Sequence, residues 1–529
     1  MSATAEIVGS DVRVKFSAPW DWQSHEMFIL SKRLPEARCL FDRESDSYEL
    51  VAPARFAPLV GLPMPTATGH SLPLADHLFD YQAWIVRKAM EARRYAVWAD
   101  CGLGKTVIFL EWARQVSACT GSGKVLIFSP KSIIPQTCEE ARRFYPDGSM
   151  ELAVLSTRED LAAWASGDCS WPFAITNYEK MIPGVLDEIR QCAGVVLDES
   201  SILKGGGGVI KWNLIKSCRG IEYKLSCTAT PAPNDTMEYA SQASFLEKLR
   251  NEGEILWTFF VRDGKSNEWK VRPHAREAFY RFMSSWSVYL RKPSAYGFKD
   301  QWDLPEPEII EHRLAMSDEQ ARERAKHVKG DGTLFREEKL GVTARSKLSQ
   351  IAKGFVYGED KKAARIISLK PARVAKIVCD ALRENRQILI WTVFDAESEI
   401  IMEHLRLNDA YGVSSLHGKD KESERESKLE DFRHGKIRAL VSKARLLGYG
   451  MNFQFCTRMI FSGFDDSFEQ FYQAVRRAHR YGSTERLVVH VPIIPELESK
   501  MWDNLLRKRG QWESDIANQE KNYVEALKA

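Results

Sequence analysis

Short apolar runs alternate through most of the chain with longer stretches in which apolar side chains recur every three or four positions. Runs of the first kind predict strands buried on both faces, and the longer ones predict amphipathic helices. Their alternation is the pattern of parallel sheets joined by crossover helices. The expected strands fall into two sets. One comprises 96–99, 125–129, 153–155, 173–176, 195–198 and 223–227, and the other 387–391, 414–417, 439–442, 459–462 and 488–491. Between them, from about 250 to 365, charged helical patterns such as 318–328 and the turn Leu304-Pro305-Glu306-Pro307 break the rhythm. Ahead of both sets, residues 12–16, 37–42, 48–51 and 56–59 read as short strands and 26–34 as a helix. The expected organisation is a small α/β domain (1–66), a first α/β lobe (67–250), a helical inter-lobe segment (251–365), a second lobe (366–495) and a carboxyl-terminal helix (496–529). No internal repeat or low-complexity tract is visible.

Composition narrows this picture without redirecting it. The 529 residues are 44% hydrophobic and 28% charged, enough for several cores. A net charge of +3 confines any nucleic-acid surface to a local basic groove. Ten cysteines without a CxxC pair or zinc-type spacing suit a reducing compartment and argue against a structural metal. No apolar stretch has the length of a membrane span and no secretory leader pattern is present, so a cytoplasmic protein with no membrane partner is expected.

The candidate chemistry begins at Ala99-Asp100-Cys101-Gly102-Leu103-Gly104-Lys105-Thr106, which follows the apolar run Tyr95-Ala96-Val97-Trp98 and precedes a helical pattern. Strand, glycine loop and helix in that order bring backbone N–H groups and a helix N-terminus onto phosphate, and a lysine reaches the β/γ oxygens. Gly102 and Gly104 allow the close backbone approach. About a domain later, Val195-Val196-Leu197-Asp198-Glu199-Ser200 ends a buried strand in two adjacent carboxylates. In a phosphate-loop enzyme Thr106 and Asp198 would hold Mg²⁺, and Glu199 would orient and deprotonate the attacking water. The plainer alternative is that Asp198 or Ser200 caps the next helix.

With these elements the chain resembles the superfamily-two helicase-type ATPases, and more narrowly the Swi/Snf branch of DNA translocases, from about residue 75 to 495. Asp80-Tyr81-Gln82 is similar to the adenine-reading glutamine motif. Ile175-Thr176-Asn177-Tyr178-Glu179 and Thr228-Ala229-Thr230-Pro231-Ala232-Pro233-Asn234 are similar to two further elements of the branch. Leu416-His417-Gly418, Gly448-Tyr449-Gly450-Met451-Asn452 and Gln473-Ala474-Val475-Arg476-Arg477-Ala478-His479-Arg480 follow in the family's order. Three departures stand out. Ala99 replaces the first loop glycine, Ser200-Ser201 complete the carboxylate motif in place of the usual pair, and Arg476 replaces a glycine, so the backbone there is expected to differ.

The resemblance implies two RecA-like lobes, ATP and Mg²⁺ as cofactors, and double-stranded DNA as a partner contacted without sequence specificity. It implies that Gln82 reads adenine, that Gly102, Gly104, Lys105, Thr106 and Gly450 bind nucleotide, and that Lys105, Asp198, Glu199, Arg477 and Arg480 form the hydrolytic set. Guanidinium groups there would neutralise the charge spread over the γ-phosphate in the transition state. Thr228, Thr230 and Gln473 would couple nucleotide to track, and Lys131, Asn177, Lys204, His417 and Ser442 would touch the nucleic-acid backbone. Each has a structural alternative: turn-forming threonines, or arginines on the solvated face of a helix. The stretch 272–292 interleaves cations with aromatics, but Phe279, Phe282, Met283, Trp286, Tyr289 and Leu290 recur at helical spacing and read as a core face. The favoured function is an ATP-dependent motor that moves on or remodels duplex DNA, from a bacterial or phage source. Alternatives are a nucleic-acid-stimulated ATPase switch in a replication, repair or defence assembly, a strand-separating DNA or RNA helicase, and a nucleotide binder without hydrolysis, which the intact Glu199, Arg477 and Arg480 oppose.

Overall fold

The structure, a computed structural model, describes residues 3–8, 11–17, 37–42, 47–53, 72–167, 171–203, 208–231, 238–249, 252–262, 269–300, 305–327, 342–360, 362–444, 446, 452–464, 468–480, 483 and 485–528. The chain divides into two compact units, residues 1–100, 104–298 and 518–529, and residues 101–103 and 299–517. The helix expected at 26–34 and the strand expected at 56–59 lie outside the described residues. No described helix is long and apolar enough to cross a membrane.

At the amino end, β1 (Ala3–Val8), β2 (Asp11–Ser17), β3 (Arg38–Asp42) and β4 (Ser47–Pro53) form an antiparallel sheet in the order β1-β2-β4-β3. Val12, Val14 and Phe16 alternate onto one face of β2 and meet Leu50 and Ala52 in a small core, as a half-buried sheet requires.

The first lobe is a seven-stranded sheet in the order β13-β5-β10-β9-β6-β8-β7. Its strands are β5 (Arg94–Ala99), β6 (Val125–Phe128), β7 (Ala153–Val154), β8 (Phe173–Thr176), β9 (Gly194–Asp198), β10 (Tyr223–Thr228) and β13 (Ser287–Leu290). Every pairing is parallel. β5, β6, β8, β9, β10 and β13 are buried along their whole length, which is why β6, β8 and β9 are largely continuous apolar runs; β10 alternates Lys224, Ser226 and Thr228 with apolar residues and is buried all the same. A hairpin of β11 (Phe260–Arg262) and β12 (Trp269–Val271) precedes the edge strand β13.

β13 corrects the helical reading of 279–290. The helix Arg276–Ser284 carries Phe279 and Met283 into the core, but it stops at Ser284 and Tyr289 and Leu290 are buried on a strand that pairs with β5. Phe282 is only half-buried.

The second lobe is a six-stranded, all-parallel sheet in the order β14-β21-β20-β17-β19-β18. It is built from β14 (Glu308–Arg313), β17 (Ile388–Thr392), β18 (Val413–Ser415), β19 (Ala439–Lys443), β20 (Arg458–Phe461) and β21 (Val488–Ile493). A small hairpin, β15 (Phe355–Tyr357) with β16 (Ala363–Arg365), lies between its first two strands in sequence. Helices Asp318–His327 and Val342–Ala352 follow β14 and precede β17 in sequence, and the segment 251–365 supplies one edge strand to each lobe's sheet, β13 and β14. Val374, Val378, Ile388, Ile390, Ile401, Val441 and Ile460 are among the residues of the second lobe's core.

The amino ends of β5 and β10 are tied by a charged lock. Arg94 and Lys224 are register partners on neighbouring strands, and both reach Glu247, at 2.5 and 2.7 Å, which also accepts the Gly220 N–H at 2.7 Å. Burial pushes the Glu247 carboxyl up, but Lys224 and Arg94 together bring it below the usual carboxylate range, while burial lowers Lys224. Glu247→Ala leaves the Lys224 ammonium, 1% exposed, without its counter-charge. The loss of stability expected in urea denaturation at neutral pH is about 3 kcal/mol. Because the folded carboxyl is depressed, its contribution is present above the unfolded value and fades as pH falls through the folded one. Wild type and variant should therefore converge only at acid pH below the usual carboxylate range.

Candidate functional site

Parallel pairing aligns the carboxyl ends of four adjacent strands, β5, β10, β9 and β6, and the candidate residues of the first lobe sit there. Open α/β sheets hold ligands at that end. β5 runs into the glycine loop, and the helix Lys105–Cys119 starts from Gly104 in the left-handed region at φ 72°. A side chain at Gly104 would be strained by that φ, and the Gln82 amide nitrogen, which would lie 2.3 Å from a Cβ there, would have to move aside. The Lys105 ammonium donates to the Ala99 carbonyl at 2.8 Å and the Asp100 carbonyl at 3.3 Å, curled over the loop that carries it. Gln82 is buried on the helix Asp80–Ala92. Its side-chain oxygen accepts the Phe79 N–H at 3.0 Å, closing the first turn of that helix, and its amide faces the Tyr81 hydroxyl at 3.4 Å and the loop at Gly104.

β9 lies between β10 and β6, so Asp198 and Glu199 at its end are flanked on both sides. On the β6 side, the Ser129 hydroxyl donates to Asp198 Oδ2 at 2.9 Å. On the β10 side, the Thr228 hydroxyl donates to Glu199 Oε1 at 2.6 Å. The Thr228 oxygen also accepts the Thr230 N–H at 3.1 Å, and the Tyr178 hydroxyl donates to the Asp198 carbonyl at 2.5 Å. Burial, and then the neighbouring Glu199 charge, push the Asp198 carboxyl up to about 7, against the opposing pull of Ser129 and Lys105. Buried Asp198 and half-buried Glu199 offer carboxylate oxygens of the kind a divalent cation takes. Glu199 itself adopts φ 59°, which a non-glycine residue rarely does and which aims its side chain away from the strand's own pleat. The helix-cap alternative for Asp198 does not describe this geometry, since its carboxylate is bonded by Ser129 from a neighbouring strand.

In the second lobe the helix Phe468–Arg476 ends just before the paired arginines. Arg477 is 9% exposed and its carbonyl accepts the Phe453 N–H at 2.9 Å, and Arg480 donates to the Asn452 side chain. The solvated-face alternative therefore fails for Arg477. Gln473, half-buried, closes the last turn by accepting the Arg477 N–H at 3.1 Å. Arg476, the bulky departure from the family pattern, reaches both back along the helix and onto this turn, where its guanidinium meets the His479 ring nitrogen Nδ1. Its guanidinium stacks 5.2 Å from the Tyr472 ring centroid, donates to the Tyr472 hydroxyl at 3.1 Å and pairs with Glu306 at 3.8 Å.

The nucleic-acid candidates divide by accessibility. Lys131 is exposed in the turn after β6. Asn177 is 8% exposed, with its side-chain oxygen accepting the Glu179 N–H at 3.1 Å. Ser442 is fully buried at the end of β19. His417 is half-buried, with Ser415 at 3.0 Å and Asp395 at 3.6 Å, and Lys443 shares that aspartate at 2.8 Å. Lys204 and Gly450 lie outside the described residues, as does Gly448. Thr106 is half-buried in the first turn of its helix.

Sequence reading missed Ser129, Tyr178 and Asn452 as parts of these arrangements. Ser129 is 69 residues from its partner, and only the strand order puts it beside Asp198. A hydroxyl immediately after an apolar strand was the available signal.

Residues 76–232 match the family model described as the type III restriction enzyme res subunit, and residues 370–482 match that of the helicase conserved C-terminal domain. The p41 protein of Acyrthosiphon pisum secondary endosymbiont phage 1 is 24% identical over 401 residues, which are 71% of this chain and 82% of that protein. A solved structure, the Sulfolobus solfataricus SWI2/SNF2 ATPase core in complex with dsDNA, is 19% identical with a TM-score of 0.38, covering 86% of this chain and 97% of its own. With one matched region in each lobe, this chain is an ATP-dependent, DNA-associated motor of the helicase or translocase kind.

Proposed function

We propose that this motor moves along double-stranded DNA without reading its sequence, in the manner of the Swi/Snf branch, on two lobes spanning about 67–250 and 366–495. The observation that carries the hydrolytic part is the row of side chains across β6, β9 and β10: Ser129 on Asp198, and Thr228 on Glu199. The duplex assignment is supported by the branch-type motifs at 175–179, 228–234 and 473–480.

In this reading Lys105 leaves the Ala99 and Asp100 carbonyls for the β/γ oxygens when nucleotide enters. Thr106 and Asp198 are suited to hold Mg²⁺, which when bound screens phosphate charge. Glu199 orients the attacking water and takes its proton, and Thr228 fixes the carboxylate that does so. Arg477 and Arg480 neutralise the charge that develops on the γ-phosphate. Thr230 and Gln473 relay the state of the site, Gln82 reads adenine, and Gly450 belongs to the nucleotide set. Phosphate contacts to the track come from Lys131, Lys204 and His417, with Asn177 and Ser442 contributing through their loops. Such contacts hold register without reading bases.

Three measurements test this. ATP turnover compared across duplex DNA, single-stranded DNA and structured RNA should be stimulated most by duplex, and stimulation by RNA alone removes the duplex assignment. Triplex displacement on duplex DNA should require ATP and vanish in Lys105→Ala; stimulated turnover without displacement identifies a switch in place of a motor. Among variants, Arg477→Ala and Arg480→Ala should each lower kcat by about 10³-fold or more. Thr228→Val, which removes one hydrogen bond to a charged group, should lower kcat by about 10- to 100-fold with nucleotide affinity retained.

A further inference from the structure

The carboxyl-terminal helix Pro495–Lys528 buries a stripe at helical spacing: Glu498, Trp502, Leu505 and Trp512 are 1%, 2%, 0% and 6% exposed. Its first turn is fixed by charge. Glu498 is bonded by Lys353 at 3.1 Å and by Lys370 at 2.7 Å, with all three side chains about 1% exposed. A buried arrangement of this kind sets the helix's axial register, because sliding it would strand two ammonium groups in the core. One turn on, the Trp502 indole N–H donates to Glu311 at 2.7 Å on β14, and its ring meets Phe464 and Phe471 at 5.4 and 5.8 Å. Further along, Trp512 meets Phe468 and Tyr472 at 5.5 and 4.6 Å.

Phe468, Phe471 and Tyr472 all belong to the nine-residue helix that ends at Arg476, immediately before Arg477. A helix that short has little stability of its own and takes its position from what it packs against. Its packing partners are these two tryptophans and, through Phe471, Phe461 of β20 at 4.5 Å. Tyr472 is the relay. Trp512 packs against it, and it receives both the Arg476 Nε hydrogen bond and the Arg476 guanidinium stack.

We propose that Trp512, seconded by Trp502, is a positioning residue for the arginine turn: the carboxyl-terminal helix buttresses the short helix that presents Arg477 and Arg480. This rests on the reading of those arginines given above. Their action depends on placement to a fraction of an ångström, and misplacement by about 1 Å costs on the order of 10²-fold in rate. Nucleotide binding, which relies on Lys105 and the glycine loop, is not expected to feel the change.

The test uses the full-length protein. Trp512→Ala, Trp512→Leu, Trp512→Phe, Arg480→Ala and the Trp512→Ala/Arg480→Ala double variant are compared for nucleic-acid-stimulated kcat and KM, for affinity toward a fluorescent ATP analogue, and for thermal unfolding. Trp512→Ala should lower kcat by about 10- to 100-fold with KM and analogue affinity within about twofold. Trp512→Phe should restore most of the rate, and the double variant should be no slower than Arg480→Ala alone, since both act on one group. Trp512→Leu, which keeps the apolar seal, carries the measurement if Trp512→Ala melts. Wild-type kcat in Trp512→Ala or Trp512→Leu, beside a crippled Arg480→Ala, overturns the buttress while leaving the finger arginines in place. So does a rate loss that multiplies with that of Arg480→Ala. An Arg480→Ala variant with wild-type turnover overturns the finger reading itself, and the buttress with it.

Discussion

The carboxylate pair at the end of β9, Asp198 buried and Glu199 half-buried, is the constraint around which the first lobe is arranged. Two adjacent acids at the mouth of an all-parallel sheet repel each other and lose water, and both effects favour the protonated form of Asp198. The strands on either side answer with one hydroxyl each, Ser129 for Asp198 and Thr228 for Glu199. Neither hydroxyl would face its acid in another strand order, because both contacts depend on β9 lying between β6 and β10 in the register Phe128↔Leu197 and Cys227↔Asp198. The topology is thus part of the chemistry: it converts three separate loop starts into one array of donors and acceptors.

Thr228 also bears on the missing fourth residue of the usual carboxylate motif. Ser201, at that place, is 3% exposed inside a short turn, and the side chain that engages the acid comes from β10 instead. Thr228 in turn accepts the Thr230 backbone N–H, so the segment after β10 is connected to Glu199 through a single hydroxyl. In the second lobe the same economy is seen at Asn452, which joins the segment before β20 to Arg480.

Much of this was legible in sequence, for reasons that differ by element. Strands such as β6, β8 and β9 announce themselves because parallel strands covered on both faces are largely continuous in apolar residues. β14 did not, since Glu308–Arg313 holds only two apolar residues, Ile309 and Ile310, among polar and charged ones at a half-exposed edge. β13 was hidden by its neighbour: the helical stripe through Phe279 and Met283 continues numerically into Trp286 and Tyr289, although the helix ends at Ser284 and the strand begins at Ser287. In the site, the glycines, the lysine and the acids are local signals and could be read in order. Ser129, Tyr178 and Asn452 act across long sequence separations, and their partners emerge only from strand order and turn geometry. Arg476 illustrates the converse. A residue that looked too large for its place is seated by an aromatic ring one helical turn back.

Gln82 holds two posts at once. Its carbonyl closes the opening turn of one helix, and its amide covers the glycine that opens another. An exchange at this position therefore cannot act in isolation: it would fray the helix bearing the side chain and uncover the loop beneath. Under the base-reading role proposed above, a lineage wishing to switch fuels would have to rebuild scaffold and selectivity together.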